Sequence, residues 1–173
     1  GAVLFRRSPP RSFASDLYEL SPDGTVKTLA TVADLMGATE EKLSDAEKAR
    51  RERTRTATKG VVDVDVSDDG SVVLVPLGGM FHLVERPSGK RTVVDPKGPS
   101  YDPHLSPDGK YLATGSWTGD DYSLGGVLQI WDVRAGRCVN MLRISGGVGW
   151  PDYGPCIQWR PDGKRVGLTF DTN

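Results

Sequence analysis

Aliphatic residues recur at alternate positions in short bursts along this chain. Val62, Val64 and Val66 precede Asp69-Gly70, and Val73 and Val75 follow it. A period of two puts alternate side chains on one face, so each burst predicts a β-strand and the pair predicts a hairpin with one buried face. One recurring tetrad punctuates the bursts. LSPDGTVKTL begins at Leu20, VSDDGSVVLV at Val66, LSPDGKYLA at Leu105 and WRPDGKRVGL at Trp159. Its chemistry is that of a tight turn: Pro fixes φ, Asp bonds back to its own backbone, and Gly accepts a positive φ.

The spacing separates two kinds of hairpin. Asp69-Gly70, Asp108-Gly109 and Asp162-Gly163 each follow a short segment and precede a strand. FHLVERPSGKRTVV (81–94) and LQIWDVRAGRCVNML (128–142) are strand, turn and strand, and DLYELSPDGTVKTLA (16–30) joins this second kind despite its SPDG turn. The first kind reads as the A–B hairpin of a four-stranded blade and the second as its C–D hairpin. Residues 61–95 then form one blade and 100–143 another. Residues 2–30 supply the last three strands of a preceding blade, and 154–170 the first two of a following one. A period of about 40–45 residues with four strands predicts a β-propeller. The expected fold is all-β: a partial propeller over 1–173, with two nearly complete blades, two partial ones and an inserted helix. A β-sandwich with generic turns is the competing architecture.

Residues 34–58 break the period of two. Ala, Glu, Lys and Arg dominate there, Ser44 to Glu47 fits a capping box, and Glu47 and Arg51 form an i,i+4 pair. A helix is predicted from about Asp45 to Thr56, ended by Gly60. The run from Lys48 to Lys59 has no interleaved aromatics for base stacking, so it reads as a solvated helix face.

Composition narrows the rest. A net charge of −1 gives no global pull toward nucleic acid, and no apolar run is long enough to span a bilayer. The start at Gly1 and the missing signal pattern are read as a piece of something longer. Cys138 and Cys156 do not have zinc-like spacing and are expected as small residues buried in strands.

Two resemblances follow. Residues 40–94 resemble the N-terminal propeller region of bacterial dipeptidyl peptidase IV-like serine peptidases. The matching text is Lys42-Leu43-Ser44, Glu47 to Arg53, Gly60-Val61-Val62-Asp63-Val64, Ser67 to Gly70, and Pro76 to Gly79. This resemblance implies a non-catalytic segment that gates or orients peptide substrate, with further blades and an α/β-hydrolase domain elsewhere in a parent chain, in a periplasmic or extracellular setting. Residues 126–142 resemble a WD-repeat C–D hairpin, with Trp131-Asp132 as its dipeptide. That likeness implies a scaffold, cytoplasmic in that case, that binds protein or peptide through blade-rim loops. It also implies a structural tetrad of His104, Ser116 (or Thr114), Trp131 and Asp132, although Asp102-Pro103 stands where Gly-His is usual. A third reading is a TolB-like periplasmic propeller, whose blades also carry SPDG-type turns.

Catalytic chemistry is not legible. No G-x-S-x-G elbow is present, GSWTG (115–119) has the letters in the wrong order, and the chain has only His82 and His104. His82 in FHLV reads as a strand residue. Glu40-Glu41 is set aside as an amine-binding pair, because in the peptidases that pair lies on a different excursion. Asp63, Asp65, Asp68 and Asp69 lack a calcium-loop pattern and read as a solvated strand face and turn acids. No cofactor or metal is expected. Trp117, Tyr122, Trp150 and Tyr153 are the candidate partner-contact rim, since interfaces favour Trp and Tyr.

Overall fold

The computed structural model describes residues 1–37, 59–98, 100–117, 126–144 and 157–168. Its strands form successive antiparallel sheets. β1 (Val3–Arg7), β2 (Ala14–Leu20) and β3 (Val26–Ala30) make blade 1. β5 (Asp65–Val66), β6 (Val72–Leu77), β7 (Met80–Glu85) and β8 (Arg91–Val94) make blade 2 in simple meander order. β9 (Tyr101–Leu105), β10 (Tyr111–Trp117), β11 (Gly126–Asp132) and β12 (Arg137–Ile144) make blade 3. β13 (Ile157–Trp159) and β14 (Val166–Leu168) open a fourth. The inner strand β9 lies against β5 on one side and β13 on the other. The fold is a partial β-propeller, with the two full blades and both partial ones where the turn spacing predicts them.

The turns of both hairpin kinds share one length except the Ser21 turn, which is one residue shorter: Glu85 donates its N–H to Lys90 O, and Asp132 pairs with Arg137. Ser67 donates its backbone N–H to Val72 O, Ser106 to Tyr111 O and Arg160 to Arg165 O, whereas Ser21 donates to Thr25 O. Within the longer turns the serine hydroxyl works twice. Ser67 Oγ donates to Asp69 Oδ1 (2.7 Å) and accepts from Val72 N (3.0 Å), and Ser106 repeats this with Asp108 and Tyr111. The turns also meet across blades: Asp69 N donates to Pro107 O, and a Cβ on Gly109 would lie 2.9 Å from Val72 Cγ2. Gly109 has φ 66°, and Gly24 has φ 86° in open space. Gly109→Ala is therefore expected to cost about 2 kcal/mol and Gly24→Ala about 1 kcal/mol, read as urea midpoints. Equal losses would mean that contact between the turns contributes nothing.

The hairpin around Asp69-Gly70 is buried on both faces, not one. Val73, Val75, Leu77 and Val84 pack with Leu17, Leu29, Ala30 and Val61 toward blade 1. Val72, Leu74, Phe81, Leu83 and Val94 pack with Leu105, Leu112, Trp131 and Val133 toward blade 3. A blade between two others has no solvent face, which explains the unbroken apolar run of β6. Blade 3 repeats the scheme through Ala113, Leu128 and Ile157.

Between blades 1 and 2, Thr31 Oγ1 caps the N–H of Asp34 to start a one-turn helix, α1 (Val32–Met36), which stops at Gly37 with φ 62°. The helix predicted over 45–56 lies outside the described residues. The chain then returns as β4 (Lys59–Gly60), parallel to β2. Arg86 locks the two blades, donating to both Glu19 carboxylate oxygens (2.7 and 3.3 Å) and to Gly70 O.

Candidate functional site

The densest polar chemistry lies where the inner strands converge. Asp65 on β5 accepts the backbone N–H of Leu105 on β9 at 2.8 Å. Asp102 on β9 accepts the N–H of Ile157 on β13, also at 2.8 Å. Each blade's inner strand thus holds the next by one carboxylate. Asp102 has a positive φ of 50°, and β9 shifts register against β10 nearby, which frees this residue from regular pairing. The Tyr101 ring covers Gly115, where a Cβ would lie 2.7 Å from it.

His104 joins the two carboxylates. Its Nε2 is 3.0 Å from Asp102 Oδ1, and its Nδ1 is 3.8 Å from Asp65 Oδ2. The first is a hydrogen bond and the second an ionic contact. The hydrogen bond to Asp102 and the pairing with Asp65 push the imidazole up to about 10, against burial. Burial alone pushes the Asp65 carboxyl up, but His104 and the Leu105 N–H outweigh it and hold the group below its ordinary value. His104 is therefore an imidazolium at neutral pH. It has no free basic nitrogen to take a proton from a nucleophile, so the cluster is built as a brace. The indole of Trp159 on β13 completes it by donating to His104 O at 2.9 Å.

The tetrad residues separate. Trp131 Nε1 donates to Thr114 Oγ1 at 3.0 Å, both buried, as the alternative to Ser116 allowed. Ser116 pairs along β10 with Val127 on β11. Asp132 Oδ1 accepts the N–H of Ala135 and shapes the β11–β12 turn. Among the described residues no bond joins His104 to Trp131 or Asp132, because His104 lies on the inner strand beside two nearer carboxylates. The expected tetrad is thus two separate devices: a buried Trp–Thr bond and a His–Asp brace.

Other expectations change as well. Asp65 is not a solvated face acid, since the neighbouring blade covers it. Asp63 is exposed and Asp69 is a turn acid, as read. Cys138 is exposed on the outer strand instead of buried, and Cys156 lies outside the described residues. His82 is buried in β7 as expected. Burial lowers its pKa, and its Nε2 has no hydrogen-bond partner among the described residues. No group of three or more His, Cys, Asp or Glu among the described residues is arranged to hold a metal ion. Trp117 ends β10, but its side chain, together with Tyr122, Trp150, Tyr153 and Glu40-Glu41, lies outside the described residues. The partner role of Asp65 and Asp102 was missed. The available signal was an acid inside an apolar inner strand, VDVDV and YDPHL.

No protein-family model matches the chain. Among solved structures it is similar to a eukaryotic initiation factor, at 14% identity and a TM-score of 0.53 over 96% of this chain and 34% of that one. It is also similar to TolB from Acinetobacter baumannii (16%, TM-score 0.49, 95% and 34%) and to a putative TolB from Agrobacterium tumefaciens (16%, 0.49, 99% and 55%). The chain spans 34 to 55% of these proteins' length, and at such identity the likeness concerns the fold alone.

Proposed function

We propose that this chain is a non-catalytic scaffold segment of a β-propeller that holds loops in place for a protein or peptide ligand. The observation that supports it most directly is the use of the two histidines: His104 is braced as a cation between Asp65 and Asp102, and His82 is buried in β7. Of the side chains that commonly do proton-transfer chemistry, His104 is committed here to joining blades 2 and 3, and His82 is shut away from solvent. Residues 118–125 follow β10 and residues 145–156 precede β13 in the chain, and with the end of β10 they carry Trp117, Tyr122, Trp150 and Tyr153. These aromatics form the proposed contact rim.

The test begins with the purified chain and a chromogenic X-Pro dipeptide substrate. No turnover above the buffer rate is expected, and hydrolysis would overturn the non-catalytic reading. A partner found by cross-linking in source cells is then titrated against the wild type and against Tyr122→Ala with Trp150→Ala. A rise in Kd of about tenfold or more is expected. Unchanged affinity would remove the rim from the proposal.

A second reading is favoured by the text of residues 40–94: the segment belongs to a dipeptidyl peptidase IV-like serine peptidase and orients its peptide substrate. A longer protein containing this chain would then cleave X-Pro substrates through its own hydrolase domain. A longer protein that stays inert on them leaves the scaffold reading alone.

A further inference from the structure

β12 differs from the other outer strands. It runs for 8 residues, against 4 in β8 and 5 in β3, and among the described residues it pairs with β11 on one side only. Val139, Met141 and Leu142 are 46%, 50% and 55% exposed along it. Its register irregularity falls near its start, between the partners of Ile130 and Trp131, and leaves Asn140 to Ile144 in regular pairing. The Met141 N–H is capped by its neighbour's side chain, Asn140 Oδ1 at 2.8 Å, an exposed bond that an incoming carbonyl can replace. An open strand of this length is a template for another chain unless something blunts it.

Charge says what fits. Arg134, Arg137 and Arg143 are exposed, and among the described residues none pairs with a carboxylate. Other arginines near blade edges do pair: Arg86 with Glu19 and Arg91 with Asp34. A second copy is a poor occupant. Antiparallel pairing of β12 with itself about Asn140 would bring Arg137 of each copy to the end that carries Arg143 of the other, and like charges brought together across a strand pair are destabilising.

We propose that β12 binds an extended partner segment by strand addition, apolar at its centre and acidic at both ends. The extra residue at Val139 puts Arg137, which faces Asp132 on β11, and Arg143, which faces Val127, on opposite faces of the sheet, so the acids of the partner should stand five residues apart, as Val127 and Asp132 do, to meet both. This surface is independent of the proposed rim.

The probe is a fluorescein-labelled peptide, Glu-Val-Thr-Val-Thr-Glu, titrated into the full chain by anisotropy beside its Lys-flanked counterpart. The acidic peptide is expected to bind at least about tenfold more tightly, with affinity falling as salt is raised. Arg137→Glu with Arg143→Glu should invert the preference. Both side chains are exposed, so an unchanged melting curve checks the fold of that variant. Amide exchange along β12 should slow when the peptide binds. Equal binding of both peptides, no saturable binding, or an unchanged preference in the double variant would each overturn the proposal.

Discussion

Trp131→Ala is expected to lower the unfolding free energy by about 4 kcal/mol. Trp131 is 6% exposed at the centre of the interface between blades 2 and 3, among Leu74, Phe81, Leu83, Leu105 and Leu112. Truncation removes the largest side chain of that cluster and opens a cavity between two sheets that cannot easily close on it. It also takes the donor from Thr114, which is 0% exposed, so a buried hydroxyl loses its partner. Trp131→Phe separates the two effects. It keeps most of the volume and loses the N–H, and about 2 kcal/mol is expected. A double-mutant cycle with Thr114→Val should return a coupling of about 1 kcal/mol. Urea unfolding measures the wild type and all four variants. Small domains are stable by only about 5–15 kcal/mol in total, so the alanine variant tests whether this interface is the main core. A loss below about 1 kcal/mol would mean that the blades stand without it.

The same interface marks how far the sequence could be read. The turns were legible because Asp, Gly and Ser act locally. Strand number and blade boundaries followed from those turns. The burial of both faces of β6 was less visible, although VVLVPL states it, because alternation in neighbouring segments drew the reading toward one buried face. The brace was not legible. Asp65 and His104 are 39 positions apart in sequence, and only the convergence of inner strands brings them together. The short α1 was hidden for a related reason: one turn has no period to detect, and its signals are a Thr cap and a Gly stop. The exposure of Cys138 depends on what covers an outer strand, which a strand's own residues do not encode.

Breaking the brace should make stability depend on pH in a defined window. The His104 pKa is raised from 6.5 to about 10 in the fold. A raised pKa means the folded state holds the proton more tightly, so this contribution is complete below pH 6.5 and is lost as pH rises toward 10. The Asp65 pKa is lowered from 3.8, so its contribution is complete above that value and is lost as pH falls through the folded pKa. The two together give a plateau in mildly acidic solution and a decline on the alkaline side. With both side chains 33% exposed, solvent screening cuts the alkaline loss to about 2 kcal/mol. Lys and Tyr groups titrate near the upper end, so the informative quantity is the difference between wild type and His104→Gln. That difference should shrink steadily from pH 6.5 to 10 and be flat from pH 5 to 6.5. Asp65→Ala adds an orphaned Leu105 N–H to an imidazolium left with one partner, and about 3 kcal/mol is expected at pH 6. Asp65→Asn keeps an acceptor for that N–H and should recover about half of the loss. If wild type and His104→Gln lose stability in parallel over the alkaline range, His104 is not the cation that joins blades 2 and 3. The inner strands would then be held by the two carboxylate-to-backbone bonds and the Trp159 indole bond to His104 O, without the imidazolium.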